Sequence, residues 1–119
     1  MKHRLLALAL GAVVAGSSGC VHRTPDQIAA DAARPRAYVR VENGAFLDAN
    51  IYVISSGTRQ RLGTTSGNGN QTFQLPRGLI FGSTPVSFLV DFIGSQRTPI
   101  SDVISVSPGD TVVLTIPPQ

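Results

Sequence analysis

The sequence holds one cysteine, no tryptophan and, beyond its second residue, no lysine. Each shortage excludes something. A single thiol, Cys20, cannot close an intrachain disulfide, so the fold must rest on packing. The histidines are His3 and His22, both near the N-terminus. A Ser-His-Asp or Cys-His system in the body of the chain therefore lacks its base, and histidine-based zinc sites lack their ligands. The carboxylates Glu42, Asp48, Asp91, Asp102 and Asp110 are scattered, and no stretch gathers the regularly spaced oxygens of a calcium loop. No metal is expected. The glycines of Ser66-Gly67-Asn68-Gly69-Asn70 lack the Lys-Ser/Thr and helix that complete a phosphate loop. No cofactor is expected. No apolar run reaches the ~20 residues of a spanning helix; Leu79 to Ile93 is broken by Gly82-Ser83-Thr84-Pro85 and carries Asp91.

Charge is equally spare. The formal net charge is +3, but Lys2 and Arg4 belong to the first few residues. What remains is eight arginines against seven acids, with no cationic cluster to neutralise phosphates. No nucleic-acid partner is expected.

What is present begins with a leader. Lys2, His3 and Arg4 make a positive start, and Leu5 to Ala15 is an apolar run ending in small residues. Residues 1–19 read as a signal peptide. Two processing routes fit the next stretch. Ala15-Gly16-Ser17 suits ordinary signal-peptidase cleavage after Ser17. Ser17-Ser18-Gly19-Cys20 resembles the lipobox of bacterial lipoproteins, with Ser17 standing where an apolar residue is usual. In that family the cysteine thiol takes a diacylglyceryl group, and cleavage leaves an acylated cysteine as N-terminus. The resemblance makes Cys20 a lipidation site and the membrane a partner. It also accounts for one thiol, at the leader's end, with nothing to pair with. Several acyl chains hold a protein stably where one holds it only marginally. Val21, in place of an aspartate, implies the outer membrane in a host that has two.

Residues 20–36 read as a tether. Thr24-Pro25-Asp26-Gln27 has the form of a capping box with proline at the first helical position, and Pro35 stops the alanine-rich run that follows.

From Ala37 the period changes to two. The spacing predicts strands over Ala37–Glu42, Asn50–Ser55, Thr58–Thr64, Gln71–Leu75, Val86–Ile93, Ile100–Val106 and Thr111–Ile116, with a type II turn at Ser107-Pro108-Gly109-Asp110. Strands at this spacing, with no helix between them, predict an all-β fold, an antiparallel β-sandwich over residues 37–119. The inward positions expected are Val39, Val41, Tyr52, Ile54, Leu62, Phe73, Leu75, Val86, Phe88, Val90, Phe92, Val103, Leu114 and Ile116. From VRVENGAFLDANIYV to SPGDTVVLTI the chain resembles the small immunoglobulin-like or transthyretin-like modules of bacterial lipoproteins, which implies a fold and little chemistry.

The surface signal is arginine. Arg59 and Arg61 flank Gln60 and point to one side of a strand, and Arg40 is a candidate for a neighbouring strand. Such a patch suits carboxylates or phosphates of an anionic polymer; a solvated face protected against edge pairing has the same composition. The expectation is a non-enzymatic envelope module that engages another envelope protein or a cell-surface polymer. The alternative is a small hydrolase using Glu42, Asp48 and Asp91.

Overall fold

A computed structural model describes Gly19, Cys20 and residues 22–119. Residues 1–18, which include most of the stretch read as a signal peptide, and Val21 lie outside the described residues. The chain divides into two units, before and after Ala32–Ala33.

Helix α1 spans Pro25–Ala33. Its capping box is reciprocal: the Gln27 amide donates to Thr24 Oγ1 (3.3 Å), and the Thr24 amide donates to Gln27 Oε1 (3.0 Å). Two orphan amides are thereby satisfied, Asp26 complements the helix dipole, and Pro35 prevents continuation. Ile28 is its one large apolar residue and is exposed. Every described side chain of its nine residues is exposed, which makes the helix marginal.

The second unit is a β-sandwich of seven strands: β1 Tyr38–Asn43, β2 Ala49–Ser55, β3 Thr58–Thr65, β4 Asn70–Gln74, β5 Thr84–Phe92, β6 Ile104–Val106 and β7 Thr111–Ile116. One sheet has the order β4-β1-β7 and the other β3-β2-β5-β6. The turns explain the connections. Ser56 and Gly57 both have positive φ (49° and 76°), as a two-residue hairpin turn between twisted strands requires. At Ser107–Asp110, Gly109 has φ 92° and the Asp110 amide donates to the Ser107 carbonyl (3.1 Å), so the type II turn is present as expected.

The core lies between the sheets. Val39, Val41 and Phe73 face Ile51, Val53, Val86, Phe88, Val90, Phe92 and Val106, with Leu62 and Leu114 packed at its margin. Three expectations need correction. In β2 the inward residues are Ala49, Ile51, Val53 and Ser55, so Tyr52 and Ile54 face outward. Val103 is 68% exposed, because β6 pairs only over Ile104–Val106 and the chain before it touches β5 through a single Leu89–Ile100 bridge. One pairing is not antiparallel: β1 and β7 run parallel, from Tyr38 opposite Thr111 to Asn43 opposite Ile116.

Two buried polar side chains contrast. Asn43 is fully employed at the end of β1: Nδ2 donates to the carbonyls of Leu47 (2.9 Å) and Ser66 (3.0 Å), and Oδ1 accepts from the Ala45 amide (3.0 Å). It joins the β1–β2 loop to the β3–β4 loop. Thr65 is buried with its Oγ1 unpartnered among the described residues. A buried hydroxyl without a partner costs about 1–3 kcal/mol. Thr65→Val keeps the shape and β-branching, and is expected to raise stability by about 1 kcal/mol, read as a higher urea midpoint at unchanged slope. A lowered midpoint would show that the hydroxyl does have a partner.

Candidate functional site

The outer face of the four-stranded sheet gathers the polar side chains. Asn50, Tyr52 and Ile54 project from β2, and across the ladder Asn50 lies opposite Thr64, Tyr52 opposite Arg61 and Ile54 opposite Arg59. On the other side of β2, Asn50 pairs with Asp91, Tyr52 with Leu89 and Ile54 with Ser87. The face thus has an arginine edge, an aromatic centre and one carboxylate at a corner.

A bulge builds the arginine edge. Ile51 pairs with Gly63 and Tyr52 with Arg61, which leaves Leu62 as the extra residue of β3. The insertion resets the alternation, so Arg61 and Thr64, three residues apart, emerge on one face. Arg61 Nη2 donates to Asn50 Oδ1 (2.9 Å) and to Thr64 Oγ1 (2.8 Å), while the Thr64 hydroxyl donates to Asn50 Oδ1 (2.7 Å). Both acceptors are neutral. Gly63 is required at this point, because a Cβ there would come within 2.5 Å of the Phe73 ring on β4.

Arg59 stacks on the aromatic centre, its guanidinium carbon 4.9 Å from the centroid of the Tyr52 ring. A cation–π contact of this kind restrains the guanidinium over the ring and uses none of its N–H donors. Among the described residues no carboxylate lies within salt-bridge distance of Arg59 or Arg61. Asp91, in register with Asn50 on β5, forms no ion pair with either arginine. Two positioned positive charges are therefore left unneutralised on one exposed surface.

Arg40 does not join them. It lies on β1, in the three-stranded sheet, and pairs with Glu42 (3.5 Å). Because Val39 and Val41 face the core, Arg40 points out of the opposite side of the sandwich. The same geometry separates the carboxylates named for hydrolysis. Glu42 and Asp91 lie on opposite outer faces, and Asp48 accepts the Gly67 amide (2.8 Å) within the loop cluster. Among the described residues no three His, Cys, Asp or Glu side chains gather as metal ligands. A recess near the β2–β3 turn is lined by Ser55, Gln60, Leu79, Phe81 and their neighbours, without a titratable group. Cys20 is an exposed free thiol, and His22 lies ahead of α1.

Sequence reasoning placed Arg59 and Arg61 together. It missed Asn50 and Thr64, whose roles depend on the bulge, and it assigned Tyr52 to the core. Comparison of the chain with protein-family models, curated proteins and solved structures finds no match.

Proposed function

We propose that the chain is a non-enzymatic lipoprotein of the cell envelope, anchored through Cys20. Its immunoglobulin-like or transthyretin-like sandwich is a binding module that takes an anionic cell-surface polymer on the outer face of the four-stranded sheet. The observation that carries this reading is the pair Arg59 and Arg61, held on one face by Tyr52, Asn50 and Thr64 with no carboxylate beside them. A side chain already fixed in place loses little freedom when it binds, so the partner's anions meet preorganised donors. The anchor reading is supported by the leader pattern and by a cysteine with no second thiol to pair with.

Both parts are tested on the full chain produced in a bacterial host. Intact mass of the membrane-extracted protein is expected to show acylation on Cys20, and Cys20→Ala to release the protein from the membrane fraction. An unmodified N-terminus at Ser18 would end the anchor reading. Co-sedimentation with insoluble polygalacturonate is expected to weaken at least tenfold in the Arg59→Gln/Arg61→Gln double variant and to weaken as salt rises. Arg40→Gln, on the opposite face, should bind as the parent does. Equal loss in Arg40→Gln would mean diffuse charge attraction and no site.

A further inference from the structure

Of the four sheet edges, three carry a device that discourages pairing with another chain. On β3 these are the charges of Arg59 and Arg61 and the bulge at Leu62. β6 is only three residues long. β4 is five residues long, and β3 crosses beside it where Gly63 meets the Phe73 ring. The fourth edge, β7, has the sequence TVVLTI, six residues with no charge, proline or bulge. Natural sheets rarely leave such an edge open unless something pairs with it.

The bonding pattern shows which groups are available. The Tyr38 amide donates to the Asp110 carbonyl (2.8 Å) and the Gly44 amide to the Ile116 carbonyl (2.7 Å). In a parallel pair the backbone groups alternate between sides. Residues 112, 114 and 116 therefore face β1, and Thr111, Val113 and Thr115 direct their amides and carbonyls away from it. Among the described residues no backbone hydrogen bond uses them. Their side chains share the outer face, where Val113 is 58% exposed.

We propose that β7 is the pairing edge for a second copy of this chain. Two β7 strands run antiparallel about a twofold axis, with Val113 opposite its counterpart and each Thr111 opposite a Thr115. The order Thr-x-Val-x-Thr reads the same after rotation, so the edge is complementary to itself. Each cross-strand pair joins β-branched or hydroxyl side chains, which are favourable partners, and no like charges face one another. Pro117 and Pro118 end the ladder on one side and the Ser107–Asp110 turn on the other. Only this register uses all three free residues of both copies.

The test uses the full chain in the membranes of its expression host. Under mild oxidation Val113→Cys is expected to form a covalent dimer at least tenfold more efficiently than the parent or Thr115→Cys. Co-expressed Thr111→Cys and Thr115→Cys chains should crosslink with each other. A second arm needs no disulfide. Two differently tagged parent chains should co-purify, as should Val113→Lys with Val113→Glu, whereas Val113→Lys with itself should not. The proposal is overturned if parent chains do not co-purify, if Val113→Lys pairs with itself as the parent does, or if Thr115→Cys crosslinks as readily as Val113→Cys.

Discussion

Replacing Phe88 by alanine is expected to leave the sandwich largely unfolded at 37 °C. Phe88 is the largest of the fully buried side chains, 2% exposed, and sits on the inner face of β5 opposite Val53. Its backbone also holds the irregular stretch before β6, donating to Ser101 Oγ (2.8 Å) and accepting from the Ser101 amide (2.8 Å). Truncation of a buried phenylalanine costs about 3–5 kcal/mol, the lost transfer energy plus the cavity. A domain of this size, with no disulfide, has a total margin near the low end of about 5–15 kcal/mol. The midpoint of thermal unfolding, followed by far-ultraviolet circular dichroism, should fall by about 15–30 °C. Phe81→Ala is the control: it removes a ring of equal size that is 73% exposed, and should change stability by less than about 0.5 kcal/mol. A similar effect from both variants would mean that Phe88 is not the centre of the core.

The second large effect is expected from Asn43→Asp, which changes one atom's chemistry and almost none of its volume. The carboxylate keeps the bond from the Ala45 amide but turns an acceptor toward the carbonyls of Leu47 and Ser66, which lose their donor. The loss of two bonds and the burial of a charge together cost about 3 kcal/mol or more at neutral pH. The pH dependence identifies the cause. Burial beside carbonyls raises the folded-state pKa of the new aspartate above its unfolded value. Its neutral form then donates to one carbonyl, so the deficit relative to the parent is smallest below the ordinary carboxylate range and grows as pH rises through and beyond it. Urea midpoints of parent and variant from pH 3 to pH 8 should diverge. A deficit constant across that range would show that charge burial plays no part.

Much of the fold was legible in the residues, and the failures have physical causes. The capping box was readable because its two partners are local, and the Ser107–Asp110 turn because proline and glycine fix φ directly. The strands were readable from alternation, except where both faces are apolar. In NIYVIS every central residue is apolar or aromatic, so the period has no phase. The small residues Ala49 and Ser55 are buried at its ends, in phase with Ile51 and Val53. Tyr52 is satisfied outside because Arg59 covers its ring. The parallel pairing of β1 and β7 left no local trace, since it joins residues from opposite ends of the domain. Of the arginine patch, Arg59 and Arg61 were readable by a period of two within one strand. Arg40 was not, because deciding its sheet required the topology.

That same pairing of first and last strands sets when the molecule can fold. β1 is the middle strand of its sheet and has no partner on one side until β7 has been made. A chain that does not yet include residues 111–116 therefore leaves one side of β1 open. Closing so long a loop comes late and slowly, because its entropy must be lost before the contacts can offset it. The sandwich is thus held open until β7 is made, and β7 acts as the latch.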